Sequence, residues 1–308
     1  MKFLSFLSLI ILVLSCKSPV KDHSIITKNE DQTITFKING ISLIIDPADG
    51  AKDISLNAFG LELLSWKNVR EEYYGNSLWL SPQNVYWPQP DVLDYGKYSI
   101  SEVDDGKLFK SQPDTTNGFQ YFKEIRIDEK RKAFIHTYRI KNISDSVQSC
   151  AAWEVTRHPK KGISFFPLSD HGVDLERAID SSIHTVEAEG VLWHTYDPSQ
   201  LGHPGRHCKT FAFGAEGWLA FLMDNVLLLK QFPNYSPGQV AEGESDVEIY
   251  VSPENDYIEL EEQSAYTSLE PGEILTWTVT WYIRQVPSDI QIEPGSIELL
   301  KLARQILD

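Results

Sequence analysis

The sequence predicts an all-β protein, a large antiparallel sandwich that ends in one short helix. Three observations carry that expectation. Apolar residues recur with a period of two through most of the chain, as in strands with one buried face. Asn39-Gly40 lies between two such runs, the strongest short hairpin signal there is. Helical periodicity occurs only near the C-terminus, so the strand and helix alternation that builds parallel sheets is missing.

At the N-terminus, Lys2 precedes a run of apolar and serine residues from Phe3 to Ser15. As a helix that run reaches roughly 20 Å, short of the roughly 30 Å hydrocarbon core, so residues 1–15 read as a signal peptide. Val13-Leu14-Ser15-Cys16 resembles the bacterial lipoprotein signal, which implies lipidation of Cys16 as a membrane anchor. Lys17 after the cysteine, rather than an acidic residue, resembles lipoproteins sorted to the outer membrane, on its periplasmic or surface face. Residues 16–32 are polar with little periodicity and read as a flexible tether, leaving 33–308 as a single domain.

Within that domain, Ile34, Phe36 and Ile38 alternate before Asn39-Gly40, and Ile41, Leu43 and Ile45 after it, which predicts a hairpin. A second hairpin follows, with Tyr121, Ile125 and Ile127 answered by Phe134, His136, Tyr138 and Ile140. Later strands read GWLAFLMD, VLLLKQF, VEIYV, YIELEEQ and LTWTVTWYI. In the last of these, Leu275, Trp277, Val279, Trp281 and Ile283 share the apolar face. Ser296 after Pro294-Gly295 is an N-cap for a helix with Ile297, Leu300 and Ala303 on one side. Two long aromatic and proline-rich stretches, Ser77 to Gly96 and Glu154 to His207, read as functional loops.

Composition narrows the partners. The chain has 28 basic and 44 acidic residues, a formal charge of −16. Nucleic acid and anionic lipid surfaces demand a basic footprint, so neither is expected, and a neutral ligand suits the balance better. Cys150 and Cys208, the two cysteines besides Cys16, show no CxxC spacing and leave a bridge open. The histidines at 158, 171, 184, 194, 203 and 207 contain no HxH or HExxH, and GxSxG and a Gly-rich phosphate loop are absent. No metal and no cofactor are expected.

What remains is aromatic faces with carboxylates and amides, the mixture that sugar rings require. A pyranose stacks its C–H face on Trp or Tyr and offers hydroxyls that need donors and acceptors. Trp79, Trp87, Trp153 and Trp193 lie in or beside the aromatic stretches, and Gln83 and Asn84 sit between two of them. In YIELEEQ, Tyr257, Glu259, Glu261 and Gln263 share the face opposite Ile258 and Leu260. Two carboxylates on one strand face raise one another's proton affinity, as general acid–base chemistry needs. Lys230, after an unbroken apolar run, is a candidate for facing the cleft, and Arg157 for a charge beside it.

Tyr257 to Ile283 resembles the C-terminal part of the aldose 1-epimerase (galactose mutarotase) superfamily. Leu260-Glu261-Glu262-Gln263 stands where that family has Leu-Glu-x-Gln, ahead of Pro271-Gly272-Glu273 and a final alternating strand. ISLNAFGLELLSW is similar to its opening strands, while SLWLSPQ, YWPQP and AAWEVTRHP resemble the domain of unknown function 4380 branch. The likeness covers residues 33 to 285. It implies a β-supersandwich whose concave sheet binds a carbohydrate, with Glu261 as general base for sugar mutarotation. The family's Asn-His-x-Tyr-Phe motif corresponds to Ala151 through His158, with no histidine in its place. Glu154, or His158 or His171 reaching in from the loop, then stands as the acid; otherwise the site only binds. The alternatives are a non-catalytic glycan-binding lipoprotein and a structural envelope protein.

Overall fold

The structure, a computed structural model, describes residues 24–67, 71–174, 184–196, 208–252 and 257–308. Two antiparallel sheets pack face to face. The front sheet runs Ile25–Lys28, Ile34–Ile38, Ile41–Asp46, Lys52–Ala58, Asn76–Ser81, Gln148–His158, Ile258–Gln263, Val247–Val251 and Cys208–Gly214. The back sheet begins with Ser99–Val103, Gly106–Lys110, Phe119–Asp128, Ala133–Asn142 and Ile274–Gln285. It continues through Val226–Gln231 and Trp218–Met223. The long strand Gly162–Asp174 joins both sheets, pairing with Trp218–Met223 through its first half and Cys208–Gly214 through its second.

Both expected hairpins form. Ile38 pairs Ile41 across Asn39 and Gly40, whose φ angles of 50° and 75° are those of a tight primed turn. Tyr121, Ile125 and Ile127 face Ile140, His136 and Phe134. The apolar stripe of the last strand is buried between the sheets with Phe36, Leu43, Leu78 and Tyr138. On the far side of the back sheet, Phe165, Trp193, Trp218 and Tyr282 form a second core beneath the helix Ile297–Leu307. Ser296 Oγ caps that helix by accepting from Leu299 N at 3.3 Å.

Three expectations need correcting. The tether ends before residue 32: Ile25–Lys28 is an edge strand paired with Ile34–Ile38, too short to show a period. Ser77 to Gly96 is a loop only in part, since Asn76–Ser81 is a fully buried strand followed by two short helices, Gln83–Tyr86 and Asp91–Asp94. Most of the described part of Glu154 to His207 is likewise strand, including Gly162–Asp174 and Val191–Tyr196. Strands buried on both faces lose their alternation, and that is why the sequence read as loop. Trp193 is accordingly core, stacked on Phe165 at 4.4 Å. Cys150 is a buried free thiol, which burial pushes up to about 12. The signal peptide and Cys16 lie outside the described residues.

Candidate functional site

Five neighbouring strands at the centre of the front sheet line up their outer residues in rows. Trp79, Trp153 and Gln263 form one row, and Ser77, Val155, Glu261, Glu248 and Phe211 the next. Arg157, Glu259, Tyr250 and Lys209 form the third. These rows face away from the back sheet because the alternate residue Glu154 turns inward, accepting from Tyr138 Oη and from Trp281 Nε1 at 3.0 Å.

Glu261 is the hub. Its Oε2 accepts from Trp153 Nε1 at 2.9 Å and Lys209 Nζ at 3.0 Å, while its Oε1 is buried without a partner. Lys209 Nζ also lies 2.7 Å from Glu248 Oε2 and 4.9 Å from the Trp153 ring centroid, and Gln83 Oε1 is 3.5 Å away. Gln263 Nε2 donates to Glu248 Oε1 at 2.8 Å and Glu244 Oε2 at 3.3 Å. Arg157 Nε donates to Glu259 Oε1 at 2.8 Å and Nη1 to Ser77 Oγ at 3.2 Å, leaving Nη2 buried without a partner.

Aromatic rings wall this centre. Trp79 meets Trp153 and Trp87 edge to face at 5.3 and 5.2 Å, and Tyr73 stacks on Trp87 at 6.3 Å. The indole N–H of Trp79 has no partner, and the Arg157 guanidinium lies 4.7 Å from its ring. Beside this wall is a hollow of about 230 Å³ lined by Glu72, Tyr73, Trp79, Trp87, Asp91 and Tyr95 among others. At the opposite end, His171, Phe211, Phe213 and Glu244 line a hollow of about 140 Å³.

Burial divides the carboxyl groups. It raises Glu259 to about 7 despite the opposing Arg157, with Glu261 adding to the rise. Burial likewise lifts Glu248 well above the carboxylate range, against the pull of Lys209. Burial alone would lower Lys209, yet Glu248 and Glu261 together hold it above its ordinary value. The site therefore sets two cations, Arg157 and Lys209, among carboxyls of which burial raises Glu259 and Glu248.

The profile of a family described as a domain of unknown function (DUF4380) matches residues 70–284. The chain belongs to that family. No curated protein matches this DUF4380 member in sequence. Its fold is similar to a galactose mutarotase-like protein from Clostridium acetobutylicum, with TM-score 0.50 and 12% identity over 86% of this chain and all of that one. It is also similar to a galactose mutarotase related enzyme from Lactobacillus acidophilus, with TM-score 0.55 and 10% identity over 84% and 99%. A TPR-domain containing protein from Parabacteroides distasonis gives TM-score 0.58 and 15% identity over 85% of this chain, which spans about half of that protein (49%). These likenesses establish a galactose mutarotase-like sandwich.

Several residues singled out from the sequence meet here. Trp79, Gln83, Trp153, Arg157, Glu259, Glu261 and Gln263 all contribute to the outer face; Trp87 and His171 line its two hollows. Three do not join them. Glu154 lies between the sheets, where burial would raise it but Lys230 at 2.8 Å takes it down to about 2, so it holds no proton to donate. Lys230 is that ion pair's other half and also bonds Thr156 Oγ1 at 2.6 Å, so it faces the core instead of the cleft. His158 also turns inward, bonded through Nδ1 to Leu63 O at 2.7 Å and stacked on Phe221 at 4.1 Å; burial pushes it down to about 3. One strand cannot send residues 154, 156 and 158 to the face used by 153, 155 and 157.

Lys209, Glu248, Glu244, Phe211, Phe213 and Tyr73 escaped the sequence reading. The signal was present: in VEIYV and KTFAF the residues Glu248 and Tyr250, and Lys209, Phe211 and Phe213, alternate just as Glu259 and Glu261 do. Among the described residues no group of three or more His, Cys, Asp or Glu is placed to hold a metal. The one histidine pair spaced four apart, His203 and His207, lies outside them, as does the side chain of His184.

Proposed function

We propose that this protein binds a carbohydrate on the outer face of its front sheet, with Glu261 as the central hydroxyl acceptor. The observation that carries the reading is a set of three buried, unpartnered polar atoms on that one face: Glu261 Oε1, Trp79 Nε1 and Arg157 Nη2. An orphaned acceptor or donor costs several kcal/mol in a dry site unless something occupies it. A sugar hydroxyl both donates and accepts, so a single ring offers partners to all three kinds of group while its C–H face lies on an indole.

A second reading, sugar mutarotation, is favoured by the proton affinity of Glu259, about 7, two residues from Glu261 on the same face and so roughly 7 Å along the strand. Glu261 would take the anomeric hydroxyl proton and Glu259 would protonate the ring oxygen. The ion pair with Lys209 and the bond from Trp153 already occupy Glu261 Oε2, so binding is the primary proposal.

Polarimetry or exchange NMR of an anomerically pure aldose separates the two, run with wild type, Glu261→Gln and no protein. Faster mutarotation with wild type alone supports catalysis; equal rates in all three together with saturable quenching of tryptophan fluorescence leave a binding protein. No quenching across a sugar panel removes both. The N-terminal leader adds a location to the proposal: export and lipidation at Cys16 would hold the cleft at a bacterial outer membrane. Cys16→Ser is expected to move the protein from the membrane fraction to the soluble one and abolish labelling by palmitate.

A further inference from the structure

The two hollows lie on opposite sides of Glu261. Trp79 stands on the first of the five central strands and Phe211 and Phe213 on the fifth, so four interstrand spacings, about 19 Å, separate them. One sugar ring reaches neither hollow from the other. Both combine aromatic rings with carboxylates: Glu72, Asp91 and Asp94 with Trp79 and Trp87 at one end, Glu244 with Phe211 and Phe213 at the other. Among the described residues no lysine or arginine lines either hollow. The cations closest by each lie against carboxyls of this protein: Arg157 beside Glu259, Lys209 beside Glu248 and Glu261, and Lys52 beside Asp49 and Asp94.

We infer that the ligand is an extended, neutral oligosaccharide that crosses the sheet from the Trp79–Trp87 hollow to the Phe211–Phe213 hollow, with Glu261 beneath its middle. The inference rests on the carbohydrate reading above and names its substrate class. Rings at the two ends lie against Trp87, which is 44% exposed, and Phe213, which is half-buried. An oligouronate would bring its carboxylates against Asp91 and Glu244, with no lysine or arginine among the described residues lining either hollow, so anionic glycans are disfavoured.

Titration calorimetry with the full chain tests this, using cello-, manno- and chito-oligosaccharides of one to five rings and oligogalacturonates of the same lengths. Affinity is expected to rise at least about tenfold from one ring to four in a neutral ladder, with the uronates weaker by a similar factor. Trp87→Ala and Phe213→Ala should each weaken the four-ring ligand about fivefold to twentyfold, a larger factor than either costs the single ring. If Phe213→Ala fails to fold, Phe213→Leu keeps an apolar filler without the ring and gives the same readout. A flat ladder, with single-ring binding that Glu261→Gln removes, overturns the extended ligand and leaves the carbohydrate reading standing. Tighter binding of the uronates overturns the neutral class. No binding along any ladder overturns both.

Discussion

The two faces of one strand pair carry nearly the same constellation and put it to different uses. On the inner face Lys230 bridges Glu154 and Glu262, with Trp281 Nε1 on Glu154 at 3.0 Å and the ammonium 5.3 Å from that indole ring. On the outer face Lys209 bridges Glu248 and Glu261, with Trp153 Nε1 on Glu261 at 2.9 Å and the ammonium 4.9 Å from that ring. Glu261 and Glu262 are sequence neighbours. The inner cluster is sealed between two sheets with Tyr138 and Thr156 as further partners, whereas the outer one lies between two hollows. A lysine with two carboxyls is therefore no mark of a binding site. What decides is whether a second sheet covers the cluster or leaves it open to a hollow.

Breaking the inner cluster should have the largest effect. Lys230→Met strands Glu154 in the core and is expected to cost about 3–5 kcal/mol in urea denaturation, whereas Lys209→Met should cost about 1–2 kcal/mol, because its side chain is 12% exposed. Equal losses would erase the contrast.

Acid probes the inner layer separately. His158 and His194 are both held down to about 3 by burial. Their folded affinity is below the unfolded one, so their contribution is full above pH 6.5 and lost as pH falls toward 3. Between pH 6.5 and 5 each removes about 2 kcal/mol. Glu259 and Asp246, raised by burial to about 7 and about 6, work in the opposite sense over part of that window. The clean measure is thus the difference between wild type and His194→Phe, which should lose about 2 kcal/mol less on acidification.

Charge state sharpens the comparison further. Burial lifts Glu262 well above the carboxylate range while Lys230 draws Glu154 down, so Glu262→Gln should change stability by less than about 1 kcal/mol, with Glu154→Gln costing about 3 kcal/mol. The smallest stability change belongs to Glu261→Gln, which keeps the volume and the bond to Trp153 as its acceptor. Its consequence should appear instead as a loss of sugar affinity of about tenfold or more, by fluorescence titration.

The sequence by itself determined the all-β class, the hairpins at Asn39-Gly40 and Asp128 to Ala133, the capped helix, and the shared face of Glu259, Glu261 and Gln263. All of these follow from local chemistry: strand alternation, turn residues and a serine cap. It also separated Glu261 from its neighbours correctly, because a period of two needs only one strand. Tertiary structure decided which face of Gln148–His158 looks outward to the candidate site, and so turned Glu154, His158 and Lys230 into core. It also brought Lys209, Glu248 and Phe211 beside Glu261 from strands far apart in the chain. A strand buried on both sides carries no alternation to say which face is which, and register between distant strands is set by the packing of whole sheets.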